Sequence, residues 1–151
     1  MATAFAGHQT PAIDDVNLQI DSFFPAVTTV NLQAHSRDDV ECSPGEMRLH
    51  LQRAVYAVND QVRTFRADQR ASKLADVVVS SGNHRAGTQL VTHYLAAVYA
   101  TAKAALLGNY PDATHTRDDT TQITQRIRGY QSCAHADIKA FYPARSNVTL
   151  I

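Results

Sequence analysis

The stretch SPGEMRLHLQRAVYAVNDQVRTF, residues 43–65, decides the fold class. Ser43 offers a hydroxyl at an N-cap, Pro44 supplies a preset φ at the first helical position, and Glu46 stands where its carboxylate can reach back to the cap N–H. From there Met47, Leu51, Ala54, Val55, Val58, Val62 and Phe65 recur at intervals of three and four. That period puts them on one apolar stripe for about five turns. The pattern predicts a long helix starting at Pro44 and carrying one face into a core.

Moving toward the C-terminus, Leu74 to Val79 is a brief apolar patch, read as a turn of helix or a short extended piece and closed by Ser80-Ser81-Gly82-Asn83. Gly87 ends this loop region. Thr88 is the expected cap of a second helix running to Leu107, with Gly108 at its C′ position. Leu90, Val91, Tyr94, Leu95, Val98, Ala102, Ala105 and Leu106 give it a broad apolar face. Alanines at 96, 97, 100, 102, 104 and 105 keep it thin, as suits a buried central helix that its neighbours approach closely. After a turn at Asn109-Tyr110-Pro111-Asp112, a third long helix is predicted from Thr116 or Asp118. Its stripe is Ile123, Ile127, Tyr130, Ala134, Ile138 and Phe141, with Gly129 as a point of bending and Pro143 as a stop.

Moving toward the N-terminus, Arg37-Asp38-Asp39 reads as a solvated loop and Thr28 to about Arg37 as a short helix. Phe23 and Phe24 precede Pro25, which biases Phe24 toward extended backbone, so the pair reads as an anchor entering the fold. Residues 1–21 show neither helical nor strand period and read as a flexible or extended arm. The expected architecture is mainly α: a small bundle of three long helices plus one short one over residues 22–142, an N-terminal arm over 1–21, and a C-terminal tail over 143–151.

A chain of 151 residues suffices for one core. Lys plus Arg (14) equals Asp plus Glu (14), so the molecule as a whole lacks the positive field that gathers nucleic acid. MATAFAGHQTPAIDD at the start has no basic n-region and no apolar core, and so does not read as a secretory signal. The longest apolar run, Leu90 to Leu107, is interrupted by His93, Tyr94 and Lys103, so no membrane span is expected and a soluble, cytoplasmically made protein is. Cys42 and Cys133 are read as free thiols.

Little in the sequence points to chemistry. The seven histidines include no pair at i, i+3 or i, i+4, and no HExxH or CxxC accompanies them, so no metal is expected. His93, beside the apolar face, reads as a hydrogen-bonded residue at the core edge. Ser80 or Ser81, His84 and Asp76 lack the surroundings of a nucleophile elbow, and no glycine-rich phosphate loop is present. The expectation is a protein that is not an enzyme and carries no cofactor. Arg63, Arg66, Arg70 and Lys73 form a basic row, read first as solvated charge favourable at a helix C-terminus. Subunit pairing, with Asp38, Asp39 and Glu41 as partners, and contact with a DNA backbone are the other readings. In the tail, Asn147, Val148, Thr149, Leu150 and Ile151 follow no helical pattern. They suit either packing back on the domain or fraying, or else insertion into a partner.

Several fragments in this order resemble one family. They are Phe23-Phe24-Pro25; Arg48-Leu49, Ala54-Val55 and Val58-Asn59; Phe65-Arg66; Leu74-Ala75-Asp76-Val77; Tyr94, Ala96-Ala97-Val98 and Ala100; and Val148-Thr149-Leu150-Ile151. From Ser22 to Ile151 the chain resembles the head completion proteins (GPL family, head-to-tail adaptors) of contractile-tailed phages. It departs from that pattern in lacking a glycine between Ala67 and Lys73 and a tryptophan in its basic third helix. The resemblance implies a virion protein of the neck, assembled in the host cytoplasm and forming a dodecameric ring under the portal protein that extends the DNA channel. It also implies portal docking by Asn147 to Ile151, a tail-side neck or terminator protein as neighbour, and passing contact with genomic DNA. The competing reading from the residues is a small helical nucleic-acid-binding regulator using Arg63, Arg66, Arg70 and Lys73.

Overall fold

The computed structural model describes residues 17–35, 42–77, 86–109 and 117–142, with side chains of the last stretch from residue 120 onward. The described chain is mainly α. In order it comprises strand β1 (Asn17–Leu18), strand β2 (Val27–Thr28), helix α1 (Thr29–Ala34), α2 (Pro44–Gln61), α3 (Arg63–Asp68), a 3-10 turn (Leu74–Asp76), α4 (Gly87–Gly108) and α5 (Arg117–Lys139).

The start of α2 follows from its local chemistry. Ser43 is extended (φ −66°, ψ 151°), its hydroxyl accepts the Glu46 N–H at 3.3 Å, and Glu46 Oε2 accepts the Ser43 N–H at 3.0 Å. The reciprocal pair satisfies two donors that a helix start leaves open. The helix does not continue to Phe65, as the stripe predicted: it ends at Gln61, Val62 leaves helical geometry (φ −98°, ψ 11°), and α3 restarts at Arg63. Its physical cause lies far along the chain. The Tyr142 hydroxyl donates to the Gln61 carbonyl at 2.8 Å and accepts the Phe65 N–H at 3.4 Å, taking over backbone groups at the break.

Two further boundaries differ from expectation. Helix α4 begins at Gly87 with Ala86 as N-cap and no side-chain cap, so Thr88 lies inside the first turn and does not cap it. Tertiary contact sets this start: a Cβ on Gly87 would lie 2.5 Å from the Leu74 carbonyl oxygen and 2.6 Å from that of Ala75. At the other end Gly108 is the last helical residue, not C′. Asn109 closes the helix in ordinary right-handed geometry, its N–H shared between the Ala105 and Leu106 carbonyls, so no glycine is required there. Helix α5 passes through Gly129 without interruption.

Helix α4 is the axis of the molecule. Asn109 meets His50 and Tyr94 meets Asn59, so α2 runs antiparallel to α4; His93 meets Asp137 while Gly108 lies beside Ile127, so α5 does too. Leu90, Tyr94, Ala97, Val98, Tyr99, Ala102 and Leu106 are all buried, nearly all round the helix. Contrary to the reading of its sequence, α4 is long and apolar enough to cross a membrane by length and composition. Over half of that apolar window is buried inside the protein, as in the central helix of a packed core.

Phe23 and Phe24 close one side of this core. Phe24 stacks on Tyr94 (centroids 4.6 Å, planes 7° apart), and Phe23 sits edge-on to Phe24 at 5.0 Å. The last residues of the N-terminal region read as an arm belong to the packed body: Asn17 pairs with Thr28 and Leu18 with Val27 in an antiparallel ladder. The short helix falls at Thr29–Ala34, capped by the Thr28 hydroxyl accepting the Asn31 N–H. Residues 36–41, which include Arg37, Asp38, Asp39 and Glu41, lie outside the described residues, as do residues 1–16, 78–85, 110–116 and 143–151.

Candidate interaction surfaces

No group of three or more His, Cys, Asp or Glu is placed to hold a metal among the described residues. His93 Nδ1 lies 2.8 Å from Asp137 Oδ1, joining α4 to α5 at the edge of the core. His50, buried on α2, has its Nε2 2.9 Å from the Asn109 side-chain nitrogen. Cys42 and Cys133 are free thiols. Burial and then the Glu46 carboxylate push the Cys42 thiol above its usual range, against the opposing pull of Lys103, and a thiol held in its neutral form is a poor nucleophile. Of the serine set, Ser80, Ser81 and His84 lie outside the described residues, and Asp76 is exposed in the 3-10 turn.

The basic row is not one helical stripe. Because the chain breaks at Val62 and α3 ends at Asp68, Arg63 and Arg66 lie on α3 while Arg70 and Lys73 lie in the irregular segment after it. Arg63 pairs with Asp60 at 3.5 Å, both side chains well exposed, a contact worth well under ~1 kcal/mol. Arg66 is held more firmly: its Nε lies 3.3 Å from Asp21 Oδ2 and its guanidinium sits 4.3 Å above the centre of the Phe23 ring. Asp21 completes the arrangement by accepting the Phe23 N–H at 2.9 Å, so the anchor pair and one cation of the row form a single cluster. Nothing in the sequence near Arg66 announces a partner 45 residues earlier. Of the row, Arg70 and Lys73 are exposed without an ion pair to a described residue.

The tail residues Asn147, Val148, Thr149, Leu150 and Ile151 lie outside the described residues. The chain is described as far as Tyr142, which its hydroxyl fixes against Gln61 at the end of α2, while Phe141 packs edge-on to Phe65 at 5.0 Å.

A surface that the sequence did not announce lies between α2 and α5. Both helices rest on α4, and among the described residues they leave a groove of about 680 Å³. Ala104, Ala105 and Gly108 of α4 form its floor, Arg53, Ala57 and Gln61 line one wall, and Ile127, Gln131 and Ile138 line the other. The alanines that let the helices approach also leave this space unfilled, since a methyl group does not reach across to the opposite wall. Their number was visible in sequence, but which of them pave a groove depends on the crossing of three helices.

A family model described as phage head completion protein (GPL) matches residues 18–143, from β1 to just beyond α5. No curated protein and no solved structure matches the chain.

Proposed function

This chain belongs to the phage head completion protein (GPL) family, and from that premise we propose that it is a structural connector without catalytic activity. Membership implies a virion-associated structural role and contact with components of the phage head. In the proposed arrangement, copies form a ring of twelve beneath the portal protein in the neck, the ring extends the DNA channel, and Asn147 to Ile151 dock into the portal. A tail-side neck or terminator protein closes the other face.

The observation that carries this reading is the extent of the family match, which spans the whole described helical body. Physical features are consistent with it. Equal numbers of acidic and basic residues suit repeated heterologous contacts between copies, where unlike charges meet at every interface. A near-neutral wall also lets DNA slide and not adhere, because each phosphate contact adds affinity through counterion release. Two of the four cations that a DNA-binding regulator would use are engaged with Asp60 and Asp21.

The test is assembly on purified portal. The full-length chain is expected to add a ring visible by electron microscopy, and a chain lacking 147–151 is expected to remain folded yet leave the portal bare. A truncated chain that still decorates portal and completes heads overturns the docking role of the tail. Failure of the full-length chain to associate with portal at all overturns the connector reading.

A further inference from the structure

We infer that Tyr142 is a latch that divides one helix into two, and that drawing it out of the break lets α2 and α3 close into a single helix from Pro44 to Asp68. The device belongs to the chain by itself and stands whatever the protein assembles with. In an uninterrupted α-helix the N–H of Phe65 would donate to the carbonyl of Gln61, four residues back. Those are the two groups that the Tyr142 hydroxyl occupies: it donates to the Gln61 carbonyl at 2.8 Å and accepts the Phe65 N–H at 3.4 Å. A side chain from beyond the end of α5 is thus inserted into one rung of the helical ladder.

On either side of the inserted hydroxyl the ladder keeps its register. The Val62 N–H donates to the Val58 carbonyl at 3.0 Å and the Arg66 N–H to the Val62 carbonyl at 2.9 Å, each four residues back. Val62, at φ −98° and ψ 11°, departs from helical backbone by about 35° in φ and about 50° in ψ. Closure is therefore a rotation at one residue, with the flanking bonds already in place. The sequence favours the closed form, because the apolar period runs through Val62 into Phe65 and residues 60–66 contain neither glycine nor proline.

The divided form is held by side chains at the flanks of α3, none of whose own residues is buried. Phe65 lies edge-on to Phe141 at 5.0 Å, Arg66 sits beside Asp21 and over the Phe23 ring, and Tyr142 bridges the break. Two of these contacts come from residues 141 and 142, so the far end of α5 sets the direction of α3. Tyr142 is itself 42% exposed, and a partner can grip its ring without opening the core. Closure turns α3 onto the line of α2, and with it Arg63 and Arg66, so the latch governs where these two cations point.

The experiment compares two substitutions in the full chain by NMR. Tyr142→Phe removes the hydroxyl but leaves the ring at the break, whereas Tyr142→Ala withdraws both. A latch gives effects of opposite sign: relative to wild type, amide exchange at Phe65 is expected to be faster in Tyr142→Phe and at least about fivefold slower in Tyr142→Ala, where the helical bond replaces the phenol. Tyr142→Ala is also expected to show a scalar coupling across the hydrogen bond from the Phe65 nitrogen to the Gln61 carbonyl carbon, absent from wild type, and a Val62 Cα shift moved into the helical range. Exchange at Phe65 that does not slow in Tyr142→Ala, or no such coupling there, overturns the proposal and leaves Tyr142 as an ordinary stabilising contact. Should Tyr142→Ala fail to fold, Tyr142→Leu keeps apolar bulk beside α5 yet stops short of the break, and the same two readings decide.

Discussion

Two glycines show how differently the same residue acts. Gly87 touches the carbonyls of Leu74 and Ala75 so closely that Gly87→Ala must push the 3-10 turn away from α4. Overpacking of this kind costs about 1–3 kcal/mol, and a lowered midpoint in urea unfolding is expected. Gly129 faces open space in mid-helix, so Gly129→Ala is expected to stabilise the fold by about 1 kcal/mol on propensity alone and so to raise the urea midpoint. The local reading located Gly87 at a boundary but not its reason, since the atoms it meets are twelve and thirteen residues away. Tyr94 is a second case. Its phenol is buried and donates to Asn59 Oδ1 at 2.6 Å, and burial, then the Asp21 charge, holds its pKa far above the usual value near 10. The folded chain keeps this proton at pH values where the unfolded chain releases it. Stability is thus whole below about pH 10 and falls above it, by about 1.4 kcal/mol per pH unit from this group. Tyr94→Phe is expected to be less stable at pH 8, by about 1–2 kcal/mol, but to show a shallower decline between pH 10 and 11.5 in urea titrations.

At the scale of the element, the capped start of α2 was legible because Ser43, Pro44 and Glu46 act on one another within a single turn. The end of α2 was not, because the apolar period runs through Val62 into Phe65 unbroken, and the group that divides the helix comes from residue 142. Both halves of the stripe remain useful: Val62 is fully buried, and Phe65 packs on Phe141. Tyr142 thus joins the α2–α3 break to the end of α5. Tyr142→Phe keeps the ring and removes the hydroxyl, leaving the Gln61 carbonyl and the Phe65 N–H to solvent. A loss of about 1 kcal/mol is expected, together with faster amide exchange at Phe65 than at residues in the middle of α2. Unchanged exchange at Phe65 would mean that the break is held by apolar packing and not by the hydroxyl. The start of α4 teaches the converse lesson, for Thr88 looked like a cap, whereas contact with the 3-10 turn decides where the helix begins.

For the whole molecule, the sequence made the mainly helical body and its central alanine-rich helix visible, because periodicity and residue size are local properties. The groove and the Asp21–Phe23–Arg66 cluster depend on which helices cross, so no window of sequence contains them. That cluster bears on how the molecule meets DNA. Four cations in a row would release about four counterions on a duplex, giving a slope near −3.6 for log affinity against log salt. With Arg66 held between Asp21 and Phe23, the row keeps Arg63, whose exposed pair with Asp60 is weak, and Arg70 and Lys73, which have no ion pair among the described residues, so the expected slope is about −2.7. Fluorescence anisotropy of a labelled duplex, titrated between 50 and 200 mM salt, measures this directly. Weak binding with a shallow slope, unaffected by Arg66→Gln, is the outcome expected of a wall past which DNA slides. A slope of −3.6 or steeper that falls by about 0.9 in Arg66→Gln would show Arg66 leaving Asp21 for phosphate, and would favour a DNA-binding protein over a connector.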